Sequence, residues 1–174
     1  MGMTEEQKLK FKGEGFLPLR DGEHLAVRVI TSAGCLTSRQ MDMLSKIAKE
    51  YGRGYVSLTV RLTVEIPWIH PEDVDEVKKL LRSVDLLNGG TGNKVRPIMA
   101  CKGTVCVHGL LDTQNFCNRL HNKYFRESGL PHKFKIGIAG CPNNCTKAQL
   151  NDLGLLGQKI PELLDGNCSG CGLC

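Results

Sequence analysis

Four of the nine cysteines form two close pairs, Cys101 with Cys106 in CKGTVC and Cys141 with Cys145 in GCPNNC. Each pair stands at the end of an expected strand, so the loops there can bring four thiolates to one place. The neighbouring glycines and Pro142 let backbone amides approach inorganic sulfide. A structural zinc site also takes four thiolates, and cysteines can be buried as small apolar residues. Zinc sites favour CxxC knuckles, and neither pair has that spacing, which favours an iron-sulfur cluster. Three more thiols, Cys168, Cys171 and Cys174 in NCSGCGLC, reproduce the first three positions of the bacterial ferredoxin run. That pattern implies a longer protein carrying a complete second 4Fe-4S module, with a small zinc site as the competing reading. Cys35 and Cys117 belong to no motif and are expected to pack in the core. His108 is the histidine best placed to touch a cluster, although a capping or surface role is the expectation for it.

The composition sets the surroundings of these thiols. With 174 residues, 41% of them hydrophobic, the chain suits one ordinary domain or two small ones sharing an interface. Twenty-three Lys+Arg against eighteen Asp+Glu give a formal charge of +5, which favours an anionic partner. The charge is too mild and too interspersed for a basic tail, and no apolar run approaches the roughly 18 to 20 residues that span a bilayer, so neither nucleic acid nor membrane is expected as a partner. The odd cysteine count and the charged start MGMTEEQKLKFKGEG, which lacks an apolar signal core, predict reduced thiols and a cytoplasmic protein.

The elements that must position the thiols follow from periodicity and capping. Residues 25–30 (LAVRVI) predict a strand, and 37–51 a helix opened by a Thr37/Gln40 capping box and closed by Gly52 and Gly54. Residues 55–68 predict one bent strand or a hairpin turning near Arg61. A second helix begins at Pro71 and buries Val74, Val77, Leu81 and Val84. The order is βαββα. The glycine-rich stretch 87–93 (LNGGTGN) is the expected domain boundary. Beyond it, 95–100 predicts a strand, 107–125 a helix, and 133–139 (KFKIGIA) a strand running into GCPNNC. The expected fold class is α+β, with a unit over 1–92, an α/β metal-binding unit over 93–160, and the start of a ferredoxin module over 161–174.

These residues resemble the sulfite and nitrite reductases that pair sirohaem with a [4Fe-4S] cluster. LTVRLTVEIPWI (58–69) looks like that family's LTxRQxxQ segment, LPHKFKI (130–136) like its basic PxKFK strand, and CKGTVC with GCPNNC like its two cluster-ligating pairs. The resemblance implies a ferredoxin-like half-domain followed by a cluster and sirohaem domain. Its expected function is multi-electron reduction of sulfite, with nitrite as the second candidate. It implies that Cys101, Cys106, Cys141 and Cys145 ligate the cluster and that Cys145 also bridges to the sirohaem iron. Asn143, Arg61 and Arg96 are implied at the cofactor, and Lys133, Lys135, Arg61 and Arg96 at the oxyanion. Sirohaem is a polycarboxylate and the substrates are oxyanions, so convergent cations are what such a site needs. Lys133 and Lys135, alternating about Phe134, place two ammonium groups on one face of a strand.

The sequence departs from the family in three places. CKGTVC has four intervening residues where the family usually has five, Leu62 stands where a Gln follows the Arg, and only one copy of a unit that the enzymes carry twice is present. The single copy predicts a homodimer in which Lys133 and Lys135 of one subunit face the cluster of the other. A ferredoxin or reductase subunit is the implied electron donor. An iron-sulfur carrier without sirohaem is the alternative function, and a zinc-holding structural subunit a third.

Overall fold

The computed structural model describes residues 2–125, 127–162, 166 and 168–172. Two apolar clusters organise them. The first is built on an antiparallel sheet of β1 (Phe16–Pro18), β2 (Leu25–Ile30), β3 (Ser57–Leu58), β4 (Val64–Ile69) and β5 (Leu87–Asn88). The order is β1-β2-β4-β3, with β5 also paired to β2. Central β2 is buried except at Arg28, the one charge in its apolar run. The Arg28 guanidinium lies 2.7 Å from the carboxylate of Glu65, directly across on β4. An opposite-charge pair facing across two strands fixes register as well as satisfying both groups.

Helices α2 (Ser38–Glu50) and α3 (Val74–Arg82) pack their apolar stripes into the same cluster. The Thr37/Gln40 box forms in both directions, and Val74, Val77, Leu81 and Val84 are all buried. The bent-strand alternative for 55–68 resolves as a hairpin. The Thr59 N–H donates to the Thr63 carbonyl, the two hydroxyls pair at 2.7 Å, and Leu62 turns the chain at a φ of 61°.

The expected βαββα order is extended by α1 (Glu5–Gly13) and β1 before it and by β5 after it. Helix α1 has no buried residue and no apolar periodicity to reveal it. Its start is nevertheless marked by a Thr4/Gln7 capping box of the same kind as that at Thr37. Leu87 and Asn88, read from the sequence as part of an unpacked stretch, pair with Ile30 and Val29.

The second cluster surrounds a parallel sheet of β6 (Met99–Ala100), β7 (Ile136–Ala139) and β8 (Leu153–Leu156), crossed by α4 (Thr113–Tyr124). Every residue of β7 is buried, as expected of a central parallel strand. Three boundaries differ from expectation. The 95–100 strand is reduced to a bridge at Val95 and the two residues of β6, because Pro97 between them has no N–H to give the ladder. The strand expected from Lys133 begins at Ile136, since the Lys135 amide donates to Asp152 instead. The helix expected from 107 begins at Thr113, because the Gly109 N–H donates to Cys106 and Asp112 caps the helix instead.

The turn before α4 depends on bare backbone. A Cβ on Gly109 would lie 1.9 Å from the Gly103 carbonyl oxygen, and one on Gly157 2.4 Å from that of Gly140. Gly109→Ala should therefore destabilise the chain by about 3 kcal/mol in urea denaturation. Gly13→Ala, whose methyl would meet nothing within 4 Å, should leave the midpoint unchanged or slightly raised.

Candidate metal centre and anion cavity

Cys101 follows β6 and Cys141 follows the strand paired with it, so two adjacent parallel strands release both cysteine loops at the same edge. The Cys101 N–H donates to the Ile138 carbonyl at 3.0 Å, fixing this alignment. Cys101, Cys106, Cys141 and Cys145 then line one cavity of about 490 Å³. The Gly140 amide donates to the Cys101 sulfur at 3.1 Å. Beneath the loop, fully buried Thr113 donates its hydroxyl to the Cys101 carbonyl and accepts from the Thr104 amide. The first residue of α4 thus latches the CKGTVC loop in place.

Among the described residues no three Cys, His, Asp or Glu side chains are already drawn together as metal ligands. The four thiols line one space, and an amide directed at sulfur is what a polynuclear iron-sulfur core uses. The donor set and cavity therefore fit a cluster.

Cys145 also lines a neighbouring cavity of about 470 Å³, with Lys135 and Arg61 on its walls. Those two cations in turn line a third cavity, of about 260 Å³, together with Arg28, Arg96 and Lys133. Thiols therefore stand at one end of a series of cavities and cations at the other, with Cys145 where the first two meet. Arg61, Arg96, Lys133 and Lys135, all singled out by sequence, are brought together; Arg28 was missed, although it is the lone charge of an apolar strand.

The cations differ in how free they are. Arg61 donates to the Pro97 carbonyl through Nε (3.1 Å) and Nη2 (2.6 Å), to the Ile136 carbonyl and to Asn151 Oδ1 (2.9 Å). Its burial, and then Arg96 nearby, pull its pKa below the ordinary value, with Asp152 opposing. Arg96 donates to the Gly90 carbonyl, and burial followed by Arg28 lowers its pKa too. Arg28 is held by Glu65. The ammonium groups of Lys133 and Lys135 have no ion-pair partner among the described residues, and of the cations lining this third cavity these two are available to an added anion.

Asn143 lines the thiol cavity, whereas its neighbour Asn144 organises the turn, accepting from the Ala148 amide at 2.8 Å. His108 lines the thiol cavity as well. Cys117 is buried as expected, and burial pushes its thiol up to about 12. Cys35 corrects its core assignment: it is exposed, lines the thiol cavity and accepts from Gln114 Nε2 at 2.9 Å. No local pattern signals this, because the turn at 31–35 comes from the other half of the chain. In the tail Cys168 and Cys171 are exposed, and Cys174 lies outside the described residues. No helix among the described residues is long and apolar enough to cross a membrane.

Residues 17–84 match the nitrite/sulfite reductase ferredoxin-like half domain and residues 91–165 the nitrite and sulphite reductase 4Fe-4S domain. The chain is 40% identical over 142 residues to a coenzyme F420-dependent sulfite reductase of Methanocaldococcus jannaschii, covering 81% of this chain and 23% of that protein. It is 30% identical to an assimilatory-type sulfite reductase of Nitratidesulfovibrio vulgaris, covering 97% and 74%. The solved structure of Mycobacterium tuberculosis NirA shares the fold, with a TM-score of 0.73 at 19% identity, over 86% of this chain and 31% of that one. The chain spans about half or less of the length of the first curated relatives it matches. With both of its halves matched in order, and a relative aligned over most of its own length, the chain belongs to the nitrite and sulfite reductase family.

Proposed function

We propose that this chain is the catalytic module of a sirohaem and [4Fe-4S] reductase acting on sulfite in the cytoplasm, with nitrite the second candidate substrate. The observation that carries this reading is the placement of Cys145 on both the thiol cavity and the cavity that leads to the basic residues. Cys101, Cys106, Cys141 and Cys145 hold the cluster, with Asn143 at its rim. Bound sirohaem and cluster supply the multi-electron chemistry. The protein contributes placement and charge. Arg61 and Arg96, fixed by backbone carbonyls, set a positive field for cofactor carboxylates, and Lys133 and Lys135 bind the oxyanion and deliver protons as oxygen leaves. Electrons come from a ferredoxin or reductase subunit, and Cys168, Cys171 and Cys174 begin a second cluster module that serves this path.

The homodimer expected from the sequence had each copy lending its lysines to the other's cluster. Lys135 shares a cavity with Cys145 of its own chain, so we propose a site contained within one chain instead.

Three outcomes follow. Protein purified without oxygen from cofactor-replete cells should yield an acid-acetone-extractable tetrapyrrole with Soret and red bands; a brown iron-sulfur spectrum alone would make the chain an electron carrier. Lys133→Ala/Lys135→Ala should lower kcat/KM about a hundredfold with pigment still bound, and loss of pigment would reassign the pair to cofactor binding. Mixing that variant with Cys145→Ser should restore no activity, whereas restoration would require sites shared between copies.

A further inference from the structure

The cavity that joins the thiols to the basic residues is walled mainly by apolar side chains, Leu62, Met99 and Leu150 among them, and no Asp or Glu lines it. Three cations do: Arg61, Lys135 and Lys147. Such a space suits an anion with a broad apolar body. Four hydrogen bonds to the protein occupy Arg61, which leaves the two lysines. Lys147 has no ion-pair partner among the described residues.

Lys147 is also one of six non-glycine residues with positive φ among the described residues. At φ 50° and ψ 55° it lies in the left-handed region, where an unbranched charged residue has no local advantage and glycine or asparagine is at ease. The surroundings impose this conformation. The Lys147 N–H donates to the Asn144 carbonyl at 2.9 Å, the Leu150 N–H donates to the Lys147 carbonyl at 2.9 Å, and the Asn144 side chain holds the Ala148 amide. Glycine would fit this backbone without strain, so a lysine here carries a backbone cost that glycine would not.

We propose that Lys147 is a further cofactor-gripping cation, aimed by its left-handed backbone at a carboxylate of the tetrapyrrole in the cavity beside Cys145. This rests on the cofactor reading above and adds to it a residue that neither the sulfur motif nor the KFK segment indicates. Lys147 follows Cys145 by two residues and lines the same cavity, so a carboxylate held by it would be fixed with respect to that thiolate.

The test is titration of the cofactor-free, cluster-bearing chain with sirohaem, followed by absorbance at low and high salt, together with thermal melting of the same proteins without sirohaem. Lys147→Ala and Lys147→Gly should each weaken binding about tenfold at low salt and less at high salt. Lys147→Arg should bind within about twofold of the wild type. Lys147→Gly should melt a few degrees above Lys147→Ala, because only glycine relieves the backbone. Wild-type affinity in Lys147→Gly, or a loss insensitive to salt, would overturn the role of the charge. Equal melting of the Gly and Ala variants would overturn the role of the strained backbone. A wild-type chain that takes up no sirohaem while keeping its cluster would overturn the cofactor reading and this inference together.

Discussion

The Arg61 guanidinium ties the two halves of this molecule together. It leaves the β3-β4 hairpin of the antiparallel sheet and ends on the Pro97 and Ile136 carbonyls and Asn151, all in the second half. Few side chains other than arginine could do this, since a planar fork with several fixed donors is needed to reach two carbonyls and an amide at once. Half-buried as it is, the group would be costly without those partners; with them it is satisfied and immobile. The cavity containing Cys145 and the cavity containing Arg96 both use Arg61 as a wall. Their adjacency depends on this clamp.

Once the halves are fixed, the charge pattern has a local meaning. A formal charge of +5 over the whole chain is modest, yet Arg28, Arg61, Arg96, Lys133 and Lys135 line one small space. Arg96 disfavours the charge on Arg61, and Arg28 that on Arg96. The fold meets this repulsion with Glu65 and backbone carbonyls, which do not fully cancel a cluster of five. An anion entering there removes repulsion as well as gaining contacts, the usual way in which binding sites are less stable than the scaffold around them.

What could be read from the sequence was local. LAVRVI, the Thr37/Gln40 box and the Val74 stripe each carry their instruction within a few residues, and each folds as expected. CKGTVC and GCPNNC were legible as a group because close cysteine pairs at strand ends can converge, and the four thiols do line one cavity. Local pattern failed where a single residue interrupts it or a distant partner decides the outcome. Asp112 and Gly109 delay the start of α4, Pro97 breaks a run that otherwise reads as strand, and Asp152 takes the amide by which Lys135 would have joined the sheet. Cys35 looked like filler because nothing near it in sequence shows that its turn closes over the thiols of the other half.

The parallel pairing of β6 with β7 also orders events in time. A hairpin such as β3-β4 can close as soon as its few residues exist. Cys101 and Cys141 become neighbours only after the chain has passed through α4 and returned. Pairings distant along the chain are slow to form, because loop closure must come before any contact rewards it. During that interval the thiols are separate ligands, able to take up whatever metal is at hand. On the proposed cluster reading, the second sheet pairs before all four thiols can receive an iron-sulfur core together, and a delivery system acting earlier would meet only half of its binding site.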